Sequence, residues 1–480
     1  MMPRLSQHDA SFLYTETASS PMHLTSFAVV DGELSRDQVL EHVAGRIHLA
    51  TRLRQRMMLV PFNIGHPIWV DDPNFDINDH IQAVEVPSSA TVEDAVAAGL
   101  KVGQELLDRE KPLWRFDVIT GVPGRTVVMQ RVHHAMVDGA SGVELSLLLF
   151  DLQAEPPELP PETTPWAPGP LPTPAELAAQ AAVDNAKNLL DGANFPEFGS
   201  DQAELLRRAG ETFTRFVSEP AITAPWNNGL VGPEREMVWY VADFGDLRTI
   251  RRAFGGTLND VVLAVFSEGA ARYLEAKGER VTDAKLRVMC PVNVRVEGEQ
   301  GALGNRVSAL FPMFKAEPVG VVERLAQVRW ETERLKQNRD AQALSLMMDA
   351  GPQLPPVAMA PTQLVGTAFD PTQIAKQFPL PVAPSFGPRL PNIGFNFTVT
   401  NVPGVQTAQY LAGCEVLDVL GAMMLGGNLG YGVAIYSYNQ RVYFNFTAEP
   451  RLMPDLEDMR SEVVGAYEEL LGLAQTELAA

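Results

Sequence analysis

The stretch Met129-Gln130-Arg131-Val132-His133-His134-Ala135-Met136-Val137-Asp138-Gly139-Ala140-Ser141-Gly142 decides how the first half of this chain is interpreted. It continues an apolar run at residues 126–129, which predicts a buried strand. Asp138-Gly139 is a turn signal, and residues 143–150 are typical of a helix. The sequence therefore predicts a strand, a tight connection and a helix, with two adjacent histidines where the strand ends.

The two histidines are candidates for chemistry. Neighbouring side chains of a strand point to opposite faces, so His133 and His134 are not expected to share one metal ion or one substrate. One imidazole should face the chemistry as a general base, because its pKa lies near neutrality, and the other the packed interior. The alternative is a strand-to-helix junction with two hydrogen-bonded histidines, in which Asp138 caps the helix. On side-chain types alone both interpretations stand.

Length and charge bound the class of protein. The chain has 480 residues, which is too long for one ordinary core, so two domains are expected. Hydrophobic residues make up 46%, as in globular proteins. With 38 Lys and Arg against 59 Asp and Glu, the formal net charge is −21. This charge argues against a nucleic-acid partner and against electrostatic docking on anionic lipid, so any membrane contact should be apolar.

Cysteine usage indicates a reducing compartment. Cys290 and Cys414 are too few for a disulfide framework, and no His/Cys/carboxylate spacing of the usual zinc kinds accompanies the histidine pair. The sequence has neither a basic and apolar leader nor an uncharged apolar run of about eighteen residues. We expect a soluble cytoplasmic protein with no bound metal.

The first domain is predicted over residues 1–151. Its expected elements are a helix over residues 5–14 capped by Ser6, a strand over residues 25–30, and a helix over residues 36–43 capped by Ser35. His8 and His23 have polar neighbours and are interpreted as surface histidines. Further along, Pro112-Leu113-Trp114 follows a helix end, and Trp114 offers a large apolar ring whose simplest role is core packing.

Residues 152–235 are interpreted as a crossover between the domains. The segment begins with a proline-rich, extended part. Thr173-Pro174 then starts a helix that runs to about residue 190, and a second helix covers about 202–218. The second domain follows over residues 236–480.

The second domain carries polar residues at the start of a helix. Thr257 can cap a helix whose first turn holds Asn259 and Asp260. Asp260 is as well explained by capping as by a functional role, whereas Asn259 is interpreted as functional. Arg295 ends a predicted strand, and residues 343–391 are rich in proline and apolar side chains. That segment predicts either contact with acyl chains or lipid, or a helix with an irregular tail.

Several of these motifs together resemble a known family. His133-His134-Ala135-Met136-Val137-Asp138-Gly139 resembles the HHxxxDG signature of the CoA-dependent acyltransferase superfamily, which includes chloramphenicol acetyltransferase and peptide-synthetase condensation domains. Within it, the chain is similar to the bacterial wax ester synthase/acyl-CoA:diacylglycerol acyltransferases. This likeness rests on residues 5–24, Pro112-Leu113-Trp114, Asn259-Asp260 and Thr400-Asn401-Val402-Pro403-Gly404.

The resemblance implies a fold and a site. It implies an α/β protein with two chloramphenicol-acetyltransferase-like domains, each a mixed sheet flanked by helices, joined by a long helical crossover, with a substrate channel between them. His134 would be the catalytic base. The residues expected to support the motif or to line the channel are His133, Asp138, Gly139, Asn259, Asp260, Arg295, Pro112, Leu113 and Trp114. Asp138 is expected to pair with Arg295, or failing that with Arg306, and so to have a structural role.

The implied activity is acyl transfer from acyl-CoA, as co-substrate, to diacylglycerol or a long-chain alcohol, with no other cofactor. The partners would be acyl-CoA and a lipid hydroxyl acceptor, without nucleic acid, and peripheral contact with the inner membrane or lipid droplets is left open. Two alternatives also fit. One is another HHxxxDG acyltransferase, such as a condensation-like enzyme, and the other is a non-catalytic lipid-binding droplet protein.

Overall fold

The computed structural model describes residues 4–136, 150–157, 159, 162, 165–191, 201–293, 307–343 and 394–480. The helices are α1 (Gln7–Thr15), α2 (Arg36–Ala44), α3 (Val92–Val102), α4 (Pro174–Asp191), α5 (Asp201–Ser218), α6 (Phe244–Phe254), α7 (Leu258–Ala276), α8 (Val321–Gln337) and α9 (Leu456–Ala479). Short 3-10 helices cover Ile47–Leu49, Thr51–Arg54, Pro61–Asn63, Ile77–Asp79 and Pro225–Asn227. Within the described part of the chain, none of the helices is long and apolar enough to cross a membrane.

The strands form two large sheets and one small one. They are β1 (His23–Asp31), β2 (Gln55–Met58), β3 (Ile68–Asp71), β4 (Ile81–Glu85), β5 (Trp114–Thr120), β6 (Arg125–His133), β7 (Glu236–Asp243), β8 (Lys285–Asn293), β9 (Val307–Leu310), β10 (Met313–Lys315), β11 (Phe397–Pro403), β12 (Tyr410–Leu411), β13 (Cys414–Ala422), β14 (Tyr431–Tyr438) and β15 (Arg441–Ala448). β2 and β3 pair with each other as a separate two-stranded sheet.

The helices begin at residues that the sequence marks as caps. The Ser6 side chain accepts a hydrogen bond from the Asp9 N–H at 3.0 Å, and Ser35 forms a reciprocal capping box with Gln38. Such caps satisfy N–H groups that have no partner inside the helix. The predicted caps at Ser6 and Ser35 are confirmed, and so is the cap at Thr257.

The first sheet has the order β12-β13-β1-β6-β5-β4. The predicted strand at residues 126–129 is the buried middle of β6. β1 runs antiparallel to β6, with His23 directly opposite His133. Directly opposite residues of two strands point to the same face of the sheet, so this register places both imidazoles on one face.

The second sheet has the order β10-β8-β11-β14-β15-β7, with β9 paired to β8. β11 is parallel to β8 and to β14, whereas β14, β15 and β7 are antiparallel, so the sheet is mixed. Helix α7 is buried along most of its length, and its Phe266 ring lies 5.3 Å from those of Phe444 and Phe446. The expected α/β architecture of two mixed sheets with flanking helices is confirmed.

The two sheets do not divide the chain at a single point. Strands β12 and β13, at residues 410–422, fall in the predicted second domain but belong to the first sheet, where β13 pairs with β1. Without β13, β1 would be an edge strand with unpaired backbone groups. Tyr438 of β14 also donates its hydroxyl to the Val416 carbonyl of β13 at 2.8 Å. The predicted domain 236–480 therefore needs correction, because residues 410–422 complete the first sheet.

The two helices predicted within the crossover are present as α4 and α5. Thr173 and Glu176 form a capping box at the start of α4, and Arg4 binds Asp184 of this helix at 2.9 Å. The crossover helix is thereby attached to the first domain. The predicted apolar loop at 343–391 lies outside the described residues, apart from Ala343.

Candidate active site

His134 lies immediately after β6 and is partly exposed. Its backbone N–H donates to the Met22 carbonyl at 2.8 Å. Its imidazole stacks on the Phe12 ring of α1, with ring centroids 3.9 Å apart and an angle of 12° between the planes. Main chain and ring are thus both held in place, while part of the residue is exposed.

His133 is buried, with 1% of its surface exposed. Its Nδ1 atom accepts the Ala135 N–H at 3.0 Å, and its Nε2 atom lies 3.4 Å from Oε1 of Glu16. Because Nδ1 acts as an acceptor, the ring proton lies on Nε2, at ion-pair distance from the carboxylate. As expected from strand geometry, one histidine of the pair faces the interior, and the other is partly exposed.

Glu16 is a residue of the site that the sequence analysis did not single out. Its side chain is 1% exposed. Oε1 accepts a hydrogen bond from the Met22 N–H at 3.0 Å, and Oε2 accepts one from Nη2 of Arg109 at 3.0 Å. Burial on its own raises the pKa of this carboxyl, but the hydrogen bonds from His133 and His23 outweigh it and hold the pKa well below its usual range. Glu16 is therefore a buried anion.

His23 was predicted to be a surface residue, and this prediction is wrong. It is 3% exposed, and its Nε2 atom lies 3.4 Å from Oε1 of Glu16. Burial lowers the pKa of His23, although Glu16 acts in the opposite direction. The prediction was based on the polar neighbours of His23 in the sequence. In the structure, the pairing of β1 with β6 buries His23.

Asp260 has a structural role. Its side chain and that of Thr257 form the capping box of α7, and its Oδ1 atom accepts the Thr332 hydroxyl of α8 at 2.8 Å. The carboxylate is only 4% exposed. Of the two interpretations from the sequence, helix capping is the one that this geometry supports.

Asn259 is exposed next to Asp260, and its side-chain oxygen accepts a hydrogen bond from Nδ2 of Asn401. Two motifs that are 142 residues apart in the sequence therefore meet at one point. The bond orients the Asn259 amide, because an oxygen engaged with Asn401 leaves the NH₂ group to face elsewhere.

A cavity of about 80 Å³ adjoins this asparagine pair. Its lining is mostly apolar and includes Val262, Leu263, Cys290, Leu310 and Val399. Burial raises the pKa of the Cys290 thiol to about 12, so the thiol stays protonated near neutral pH and is not a nucleophile. The cavity thus offers an apolar space with amide groups at its edge.

The Pro112-Leu113-Trp114 motif packs in the first core. Trp114 is 1% exposed, its indole N–H donates to the Leu53 carbonyl at 2.8 Å, and its ring stacks on His80 with centroids 4.5 Å apart. The Leu113 carbonyl accepts the His133 N–H at 2.9 Å. This geometry gives Leu113 and Trp114 a packing role, as the simplest interpretation of Trp114 predicted, and the Leu113 carbonyl connects the motif to His133. The expected place of Pro112, Leu113 and Trp114 along a substrate channel stays a prediction.

Part of the predicted site cannot be placed. Asp138, Gly139, Arg295 and Arg306 lie outside the described residues. The expected ion pair between Asp138 and an arginine therefore stays a prediction.

Comparison with known families gives two matches that together span most of the chain. The model of the wax ester synthase/diacylglycerol acyltransferase catalytic domain matches residues 5–262, and that of the C-terminal domain of the same family matches residues 303–471. A Mycobacterium tuberculosis protein assigned as a diacylglycerol O-acyltransferase is 28% identical over 489 residues, covering 98% of this chain and 90% of the relative.

Solved structures show the same fold. A wax ester synthase/diacylglycerol acyltransferase from Marinobacter aquaeolei superimposes with a TM-score of 0.64 at 19% identity, covering 98% of this chain and all of that one. The starter condensation domain of rhizomide synthetase, solved with C8-CoA, gives a TM-score of 0.57 at 15% identity and covers 99% of this chain and 95% of that one.

Proposed function

Because the chain belongs to the wax ester synthase/diacylglycerol acyltransferase family, we propose that it transfers a long-chain acyl group from acyl-CoA to the hydroxyl of diacylglycerol or a long-chain alcohol, with His134 as general base. The observation that carries this proposal is the position of His134. Its neighbour His133 is buried and contacts Ala135 and Glu16, whereas His134 lies at the end of β6, stacks on Phe12 and is partly exposed.

The reaction proceeds by direct transfer. The imidazole of His134 takes the proton of the acceptor hydroxyl while the oxygen attacks the thioester carbonyl. Collapse of the tetrahedral intermediate breaks the carbon–sulfur bond, and the imidazolium returns its proton to the CoA thiolate. No acyl-enzyme is needed when both substrates are held in one complex, since the attack is then effectively unimolecular.

The negative charge that develops on the carbonyl oxygen requires a donor. Asn259 supports this role, because the bond from Asn401 occupies its side-chain oxygen and leaves its NH₂ group available. A fixed donor of this kind stabilises the transition state more than the ground state.

The acyl chain would enter the cavity beside the asparagine pair. The lining side chains Leu263, Leu310 and Val399 are apolar and almost fully buried. Each methylene of an acyl chain removed from water contributes about 0.8 kcal/mol to binding. An acyl chain bound here would place its thioester end towards Asn259 at the edge of the cavity.

A neutral lipid surface is the proposed environment of the acceptor. The connection between β2 and β3 exposes two apolar side chains, Leu59 by 55% and Phe62 by 87%. The net charge of −21 disfavours an anionic bilayer. In a flotation assay, we expect the protein to bind triacylglycerol droplets rather than phosphatidylglycerol vesicles. Phe62→Ser should weaken droplet binding. The control Trp330→Ser, which changes another exposed aromatic residue, should not weaken it.

The test of the activity is thiol release from palmitoyl-CoA across a panel of acceptors: dioleoylglycerol, hexadecanol, monoacylglycerol, an amine and no acceptor. The proposal expects release that depends on the hydroxyl lipids, with triacylglycerol or wax ester as the product. Release with the amine alone would instead favour a condensation-like enzyme. Lipid binding without any thiol release would favour the non-catalytic alternative.

A further inference from the structure

We propose that Glu16 is a positioning residue for the acyl transfer, because its single buried carboxylate fixes both the ring of His133 and the main chain that carries His134. The inference rests on the proposed function, in which His134 is the base. Glu16 does not touch the reacting atoms, so its effect on the reaction would be exerted through its neighbours.

Two hydrogen-bond donors and two imidazole rings surround this carboxylate. Oε1 accepts the Met22 N–H at 3.0 Å and lies 3.4 Å from Nε2 of both His23 and His133. Oε2 accepts Nη2 of Arg109 at 3.0 Å. A carboxylate with 1% of its side chain exposed is costly to bury unless it is paired and hydrogen-bonded, and this cluster supplies both conditions.

The first connection to the base runs through His133. The carboxylate lies 3.4 Å from Nε2 of His133 and favours the tautomer that carries its proton on that atom, which leaves Nδ1 to accept the Ala135 N–H at 3.0 Å. This bond closes the turn on the far side of His134. Without the carboxylate, this tautomer of His133 would no longer be favoured, and the hydrogen bond that closes the turn would weaken.

The second connection runs through Met22. Its N–H donates to Glu16, and its carbonyl accepts the His134 N–H at 2.8 Å. The main chain of His134 is therefore one residue away from the carboxylate on this side as well. Both connections end at the peptide units that flank the His134 ring.

The replacement Glu16→Gln removes the charge and part of the acceptor capacity of this side chain but keeps its shape. Glutamine has nearly the same volume, but its amide offers one acceptor oxygen and one donor NH₂ group. It cannot accept hydrogen bonds on both sides, so its NH₂ group would meet either the histidine donors or Arg109. Glu110→Gln is the matched control, because it removes a carboxylate whose side chain is 86% exposed and lies outside the cluster.

The expected result is a kcat about 10²-fold lower in Glu16→Gln, as for small misplacements of a catalytic group. The KM values for palmitoyl-CoA and acceptor should stay within about 2-fold, since a positioning defect acts on turnover. Glu110→Gln should match the wild type. In NMR spectra, the ring proton on Nε2 of His133 should be visible in the wild type and lost in Glu16→Gln.

A double-mutant cycle tests the coupling where Glu16→Gln folds, and Glu16→Asp keeps the inference testable where it does not. His133→Asn removes the same bond from the other side, and Glu16→Asp retains the charge. If the residues act as one unit, the double variant Glu16→Gln/His133→Asn should be no slower than the slower single variant, and Glu16→Asp should recover part of the activity.

Wild-type kcat in Glu16→Gln, or a His133 tautomer that does not change, would overturn the inference while leaving the proposed function intact. Full activity of His134→Ala would overturn the proposed function itself, so the two failures are distinguishable. Independent, additive losses in the cycle would also contradict a shared positioning role.

Discussion

His23 and His133 lie directly opposite each other on the antiparallel strands β1 and β6, and the Nε2 atom of each lies 3.4 Å from the same oxygen of Glu16. Their ring centroids are 6.1 Å apart, so one carboxylate oxygen lies close to both strands. His134 is the first residue beyond the end of β6.

Replacing the base should remove most of the activity. His134→Ala is expected to lower kcat by about 10²–10⁴-fold, because that is the contribution of a positioned general base. Thiol release and product analysis give kcat, and circular dichroism shows whether the fold is retained. His48→Ala, which changes a histidine of a short 3-10 helix away from β6, serves as the control. Activity near the wild-type level in His134→Ala would rule out the mechanism.

The asparagine pair should act as one unit. Asn259→Ala is expected to lower kcat by about 10²–10³-fold if its NH₂ group stabilises the oxyanion. Asn401→Ala should have a smaller effect in the same direction, because it removes only the bond that orients Asn259. The double variant should be no worse than Asn259→Ala, as judged by steady-state kinetics with palmitoyl-CoA. Equal effects of Asn259→Ala and the exposed control Asn78→Ala would contradict the role.

Filling the cavity should shorten the preferred acyl chain. Val399→Phe adds volume to the apolar lining, so kcat/KM for palmitoyl-CoA should fall relative to octanoyl-CoA. The measurement is the ratio of the two kcat/KM values, which cancels a general loss of stability. Val322→Phe makes the same change at a position that is 42% exposed and should leave the ratio unchanged. An unaltered ratio in Val399→Phe would place the acyl chain elsewhere.

Trp114 should matter for stability more than for chemistry. Trp114→Phe removes the indole N–H and leaves the buried Leu53 carbonyl without its donor, so the free energy of unfolding should fall by about 1–3 kcal/mol. Urea unfolding measures this loss, and kcat assayed well below the melting temperature should stay close to wild type. Trp330→Phe, at a position that is 68% exposed, should change neither the free energy of unfolding nor kcat. A selective loss of kcat would indicate substrate contact after all.

His66 should make stability depend on pH. Burial, with a smaller effect from Arg4, lowers the pKa of His66 to about 4. The unfolded chain therefore takes up a proton near pH 6.5 while the folded state does not, and stability is lost as the pH falls from about 6.5 to 4. The loss in the free energy of unfolding that His66 causes is roughly 3 kcal/mol at pH 4. Urea unfolding of the wild type and His66→Asn at pH 7 and pH 4.5 should show a smaller pH dependence in the variant, and equal dependence would contradict the assignment.

Much of the local structure could be predicted because its causes lie within a few residues. The caps at Ser6 and Thr257 depend on a side chain and an N–H three positions later. The buried strand β6 follows from its apolar run. The assignment of His134 rather than His133 as the base came from the family resemblance, and the partial exposure of His134 agrees with it.

Other features could not be predicted, because they depend on contacts between distant parts of the chain. β13 joins the first sheet although it is almost 400 residues from β1 in the sequence. His23 was misjudged because only its pairing with β6 shows that it is buried. Glu16 lies just after a predicted helix and carries no motif, so the convergence of His23, His133 and Arg109 on it is visible only in three dimensions.

The sequence by itself determined the capped helices and the buried strand β6, since caps and apolar periodicity are short-range properties, and its motifs carried the resemblance that implied the family and the two-domain α/β fold. The tertiary structure alone decided which distant polar groups meet: Glu16 with His23 and His133 in the interior, and Asn259 with Asn401 at the surface. The physical reason is that a buried charge or amide must find partners wherever strand register brings them, and register is settled by the packing of the whole sheet rather than by neighbours in the chain.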